Sequence, residues 1–295
     1  MTISATSSEP DTVPAAALAA PTLLRRLFNG RPTTAAAILL VVVLLSVLAP
    51  WLHTVDPLAL DPGQRLKGIS AAHWLGTDAY GRDVYSRVLY GGRVSLVVGL
   101  GAALASVALG LVIGVLAGYF RWIDAIVMRI MDGMMAIPGV LLAIALIALS
   151  GASLVTVLAA ITIPEIPRVV RLVRGVILSV RNEPYVEAAL SLGTRPAKLM
   201  LRHLVPNTLA PLVVQGTYVF ASAMITESIL SFLGAGVPPE VASWGNIMAD
   251  GRSYFQLIPG LVLYPGVLLS LTVLSVNILG DAMRDALDPR MARRM

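Results

Sequence analysis

The chain has 295 residues, of which 57% are apolar and 13% charged, with a net charge of +5 and a mean hydropathy of +0.80. That composition excludes a soluble globular domain and fits a polytopic helical membrane protein. There is no cysteine, which excludes disulfides, thiolate catalysis and cysteine-held metals; no basic run is interleaved with aromatics, which argues against nucleic acid.

Residues 1–31 read as a cytoplasmic, largely disordered tail, rich in Ala, Ser, Thr and Pro up to residue 23. Arg25-Arg26-Leu27-Phe28 partly resembles a twin-arginine export signal. The apolar run behind it is too long for a signal core, and no small-residue cleavage site follows, so it reads as the flank of a first span. A crossing helix needs about 20 apolar residues. Residues 32–55 lack Asp, Glu, Lys and Arg and supply span one. In the extracytoplasmic loop 56–93, Asp56-Pro57, Asp61-Pro62-Gly63 and Gly76 mark turns. Asp83 to Tyr90 is expected to form a short helix, with Trp74, Tyr80, Tyr85 and Tyr90 suited to the membrane interface.

Val94 to Phe120 is span two. Ile123 to Val173 is too long for one crossing, and Ser150-Gly-Ala-Ser153 divides it into spans three and four. Asn207 to Leu233 is span five, and Ser253 to Gly280 contains span six, starting after Pro259. The expected fold is therefore all-α and polytopic, with six transmembrane helices. Five of them form a core over 94–282, with an insert at 182–206, an extracytoplasmic loop at 234–258 and a tail at 283–295. With both termini cytoplasmic, 16 of the 22 Lys and Arg lie inside, while the two outer segments carry five and one. A five-span arrangement with the amino terminus outside also puts 16 inside; length and the Ser-Gly turn exclude it.

The insert 182–206 is polar and basic. Arg168, Arg171 and Arg174 end span four at helical spacing. Pro184 suits the first turn of a short helix, Gly193 suits a left-handed stop, and Thr194 is placed to cap a second short helix carrying Lys198 and Arg202. Two stubby helices at a sharp angle would make a knob. Ala188 and Ala189 would let a partner's groove approach the backbone, and Glu187 offers a charge. An amphipathic connector lying on the membrane surface is the other reading.

Charged groups within spans are candidates for function. Glu227 in span five either faces the pore and a substrate ammonium group or is a buried, hydrogen-bonded packing contact. Glu165 lies between Pro164 and Pro167, where the helix is loosened, and lines a cavity or marks a hinge. A local Arg129–Asp132 pair is expected at the start of span three. Met128, Met131, Met134 and Met135 read as packing rather than a metal path. His53, His73 and His203 are scattered, so no metal site is expected. Trp244 and Asn246 either touch an extracytoplasmic partner or cap helix ends.

Glu187-Ala-Ala-Leu-Ser-Leu-Gly193, with Pro206 thirteen residues beyond the glycine, resembles the EAA loop of ABC importer permeases. The family pattern ends Ile-x-Leu-Pro, whereas this chain has His203-Leu-Val-Pro206. His73-Trp-Leu-Gly-Thr-Asp78, Gly81-Arg-Asp83, Gly118-Tyr-Phe120, Arg171-Leu-Val-Arg-Gly175, Glu227-Ser-Ile-Leu-Ser-Phe-Leu-Gly234, Ser243-Trp-Gly-Asn246 and the segment from Gly280 to Pro289 agree in order with the C-type permease of dipeptide, oligopeptide and nickel importers. The resemblance spans about residues 24–290.

It implies a MetI-like type I permease core with one extra amino-terminal span in a bacterial inner membrane. It implies a B-type permease partner, two ATP-binding subunits and an extracytoplasmic binding protein. Glu187, Ala188, Ala189, Gly193 and Pro206 would form the ATPase-coupling site. ATP and magnesium would belong to the partners, because this chain has no Gly-rich Lys-Ser/Thr phosphate loop. The alternatives are a nickel-type importer and a proton-driven secondary transporter. The latter would be expected to carry inverted repeats and an intramembrane acid relay.

Overall fold

The computed structural model describes residues 30–287. Most of the predicted amino-terminal tail, with its Arg-Arg pair, and the end of the carboxy-terminal tail lie outside them. Among the described residues the regular structure is helical: α1 Arg31–Val47, α2 Val84–Tyr119, α3 Arg121–Met135, α4 Gly139–Ser150, α5 Leu154–Val180, α6 Pro184–Ser191, α7 Pro196–Leu199, α8 Val205–Phe232, α9 Trp244–Gly251 and α10 Gly260–Leu287.

Three continuous helices are long and apolar enough to cross a membrane: α2, the run Pro196–Phe232, and α10; a fourth crossing is added if α3 and α4 count as one. The short helix expected at Asp83–Tyr90 is the first turns of α2, whose 36 residues run without interruption. At about 1.5 Å per residue α2 is near 54 Å long, more than the ~30 Å hydrocarbon core.

Span three is not the straight helix expected. α3 and α4 meet at 91°. Pro138 cannot donate a backbone hydrogen bond and disfavours helix at Ile137, so the chain turns there. The second break falls where the sequence places it: α4 ends at Ser150, Gly151 has φ +80°, and Ser153 caps α5 through a reciprocal pair with Thr156. α1 ends earlier than expected. Pro50 lies in a 3₁₀ turn over Ala49–Trp51, and Arg93 donates to the Ser46 carbonyl at 2.6 Å and to that of Val47 at 2.5 Å. A cation on the last carbonyls of a helix is favourable.

The core is a close pairing of α2 with α5. Gly110, Gly114 and Gly118, four apart on α2, lie on Val169, Val173 and Ile177, four apart on α5. A Cβ on Gly114 would sit 2.7 Å from the Cβ of Val173, so only glycine permits this approach. Small residues at such spacing bring membrane helices together without a hydrophobic driving force between them. α8 and α10 complete the bundle, with Leu212, Val219 and Met224 buried.

Candidate functional site

Two polar inserts flank the bundle, and a polar cavity lies inside it. The first insert is 182–206. Pro184 opens α6, and Gly193 ends it at φ +75°. The Gly193 N–H donates to the Leu190 carbonyl at 2.9 Å and the Thr194 N–H to that of Ala189 at 3.1 Å, the paired bonds of a Schellman stop. The expected Thr194 cap is not used; Arg195 is the cap residue of α7, with no side-chain hydrogen bond. Nor is the second element a separate stub. α7 runs through a π turn, Met200–Leu204, into α8 as one 37-residue helix. Pro206 lacks the N–H that the Arg202 carbonyl would receive, and the loosened turn absorbs that loss.

Val186, Leu199 and Leu204 fasten this insert to the buried Val169, Val173 and Ile177. Glu187 and Ala188 are exposed and Ala189 is half-buried. Around them stand Tyr185, Leu190, Leu192 and Leu201, with Leu192 87% exposed. The sequence reading passes over these apolar side chains, although leucines within a basic insert are a visible signal. The knob is thus rooted in the core through Val186, Leu199 and Leu204 and presents an apolar face edged by Glu187, Arg195, Lys198 and Arg202.

The arginines in the second half of α5 are tied to α3. Asp124 accepts from Arg174, and Asp132 accepts from Arg171 at 2.5 Å. The expected Arg129–Asp132 pair gives way to this cross-helix contact, because the bend after α3 lays its polar face along α5. Arg168 turns instead to Glu165, 3.3 Å from both carboxylate oxygens.

Glu165 lines a cavity of about 230 Å³ between α4, α5 and α8, together with Gly139, Pro164, Arg168, Ser222 and Thr226. Ser222 donates to its carboxylate at 2.9 Å. Ser222, four residues before Thr226 on α8, is absent from the sequence reading; a pair of hydroxyls at helical spacing in an apolar span is the signal that points to it.

Glu227 lies inside the packed bundle of this chain. It is fully buried and accepts from Ser243 at 2.8 Å, Ser231 at 2.9 Å and Ser95 at 3.4 Å. These bonds join α2, α8 and the start of α9. Trp244 and Asn246 are likewise turned inward, 1% and 7% exposed. Trp244 donates its indole N–H to the Val88 carbonyl at 2.9 Å. Asn246 donates to the carbonyls of Val237, Pro238 and Val241 at 2.9–3.0 Å. Both side chains are therefore held within the fold of this chain.

The second insert, the loop before α2, folds onto α9 as a plug. Asp78 accepts from Arg82 at 2.6 Å and Arg87 at 2.7 Å; Asp250 accepts from the same two arginines at 2.8 and 3.1 Å. Asp83 caps α2 through the Ser86 N–H at 2.8 Å and lies 3.0 Å from His73 Nδ1. Gly81, at φ +76°, passes so close to the Asp61 carbonyl that a Cβ has no room.

Comparison with known proteins follows the same outline. A family described as "Binding-protein-dependent transport system inner membrane component" matches residues 110–293. The probable peptide ABC transporter permease protein y4tQ of Sinorhizobium fredii is 52% identical over 85% of this chain and 86% of its own. The dipeptide transport system permease protein DppC of Alkalihalophilus pseudofirmus is 42% identical, covering 84% and 82%. The glutathione transport system permease protein GsiD of Pectobacterium atrosepticum is 39% identical, covering 84% of each. Among solved structures, the MetNI methionine ABC transporter in an inward-facing conformation aligns with a TM-score of 0.54 at 20% identity, over 70% of this chain and 95% of that one. That likeness establishes a shared fold.

Proposed function

The chain belongs to the family of binding-protein-dependent transport system inner membrane components, and on that premise we propose that it carries di- or oligopeptides as the C-type permease subunit of an ABC importer. It is a multi-pass inner-membrane permease and not an enzyme; ATP hydrolysis belongs to ATPase partners, and a binding protein delivers the substrate.

We assign six crossings with both termini cytoplasmic, the bent α3–α4 pair being the third and α1 an addition to a five-helix core. The complex we infer contains a B-type permease, two ATP-binding subunits that hold ATP and magnesium, and one binding protein. Glu187, Ala188, Ala189, Gly193 and Pro206 then belong to the coupling knob. The observation that carries this reading is the union of an exposed apolar face with a rigid root. Leu190, Leu192 and Leu201 lie open, while α7 and α8 are one continuous helix. A groove that grips this face and moves transmits its motion directly into α8, and rigid-body motion of that kind drives alternating access.

Co-purification of the tagged chain from native membranes in mild detergent tests this. A second permease, two ATPases and a peptide-binding protein are expected. A lone chain or homo-oligomer without any ATPase, obtained repeatedly, overturns it.

A further inference from the structure

Glu165 is an acid near the middle of α5, 8% exposed, on the wall of the polar cavity. On the six-crossing assignment α5 is a membrane helix, where a buried carboxylate is costly and is expected to be tied to a strong partner. Its partner is weak. The Arg168 guanidinium sits at 3.3 Å from both oxygens and is itself 58% exposed, whereas a tight charge-assisted bond is near 2.7–2.9 Å. The one short contact is to Ser222 at 2.9 Å. Thr226, one turn further along α8, lines the same cavity with a hydroxyl that has no protein hydrogen bond among the described residues. By contrast, the Thr208, Thr217 and Thr272 hydroxyls bond back to their own helices at 2.7 Å.

The cavity has room for a ligand group. About 230 Å³ is more than ten times the ~15 Å³ that one water requires. Its walls are fixed by a bend and by two prolines. Gly139 begins α4 at the 91° turn and lies on Pro164, where a Cβ would be 3.3 Å away. Pro164 and Pro167 supply no N–H, so the Ala160 and Ile163 carbonyls lack their usual helical donors. The cavity wall therefore brings a carboxylate and two hydroxyl oxygens together beside the Arg168 guanidinium, with the apolar Val140, Ala143 and Ile161 around them. The group that needs several acceptors and one negative charge is a primary ammonium, with three donors and no acceptor.

We propose that Glu165, Ser222 and Thr226 form an intramembrane site for the ammonium group of the transported substrate, which displaces Arg168 from the Glu165 carboxylate as it passes. This rests on the peptide-import reading, in which the free amino terminus supplies that group. Arg168 is the resting counter-ion. Its exposed position lets it swing away, so the carboxylate is never left buried without a cation.

The test uses the whole importer, with its second permease, ATPases and binding protein, in proteoliposomes. The probe is a defined mixture of free dipeptides, and the readout is peptide imported per ATP hydrolysed. Glu165→Gln removes the charge at constant shape. It is expected to lower that ratio at least tenfold, while binding-protein-stimulated ATPase activity stays within twofold of wild type and Glu165→Asp recovers most of the ratio. Thr226→Val removes an unpartnered hydroxyl without disturbing packing and is expected to lower the ratio about threefold. Wild-type import with an unchanged ratio in Glu165→Gln overturns the site and leaves the peptide reading standing. If Glu165→Gln fails to assemble, an unchanged ratio in Thr226→Val overturns the site equally. Absence of dipeptide import by the wild-type complex overturns the peptide reading and the ammonium site together.

Discussion

The two inserts of this chain are similar in sequence character and opposite in structure. Both are polar, carry glycines at positive φ and several charges, and join apolar helices. In the plug before α2, the charges meet one another: Asp78, Arg82, Arg87 and Asp250 are linked by four contacts of 2.6–3.1 Å. In the knob at 182–206, no side chain of α6 finds an ion-pair partner among the described residues, and leucines stand in the open. The difference teaches where to look for a partner. A motif whose polar groups satisfy each other is scaffold, whatever its sequence specificity. A motif that leaves its apolar side chains uncovered on a rigid base is shaped for something else to cover it.

Substitutions that strike the two inserts should therefore fail in different ways. The largest effect is expected from Arg87→Ala. Arg87 is 1% exposed and bonds both Asp78 and Asp250. Breaking a buried ion network by removing one member costs about 3–5 kcal/mol, so the variant should accumulate poorly and melt well below wild type in a detergent thermal-shift measurement. Next comes Gly193→Pro, since proline fixes φ near −65° where the chain needs +75°. Uptake should fall at least tenfold, with membrane abundance near wild type and the ATPase no longer stimulated by binding protein. Normal uptake there, or loss of insertion, erases the contrast between the inserts. Glu187→Lys, on an exposed site in the first turn of α6, should lower uptake several-fold with no change in thermal stability. Trp244→Phe is the mildest. It deletes the indole bond to Val88 and is expected to cost about 1 kcal/mol, lowering the melting temperature without changing uptake per folded complex.

Much of this architecture is legible in the sequence, and the limits have physical causes. Apolar runs locate the helices, and Gly151 and Ser153 announce the α4–α5 turn. Ala136-Ile-Pro138-Gly139 announces the bend between α3 and α4 equally clearly, but a count based on span length passes over it. The Gly110, Gly114 and Gly118 ladder is also written in plain spacing. Cross-helix pairs are another matter. Asp124–Arg174 and Asp132–Arg171 depend on how α3 lies along α5, which no local pattern encodes, so the nearer Arg129 looks the better partner for Asp132. Glu227, Trp244 and Asn246 show the same gap. Their residue types fit a pore or a docking surface as well as a packed joint, and only burial separates those readings. Gly193 is the reverse case, because its left-handed stop follows from local chemistry alone.

The central claim is that the knob around Ala188 is the surface on which an ATPase docks. The chain contains no cysteine, so Ala188→Cys introduces a unique thiol on the exposed side of α6. A short thiol-to-amine crosslinker applied to the assembled importer in native membranes, followed by mass spectrometry of the product, reads its neighbour directly. The account predicts a crosslink to an ATP-binding subunit whose yield changes when ATP is bound. An assembled, transporting complex in which the introduced thiol is freely labelled and crosslinks to no ATP-binding subunit would contradict it.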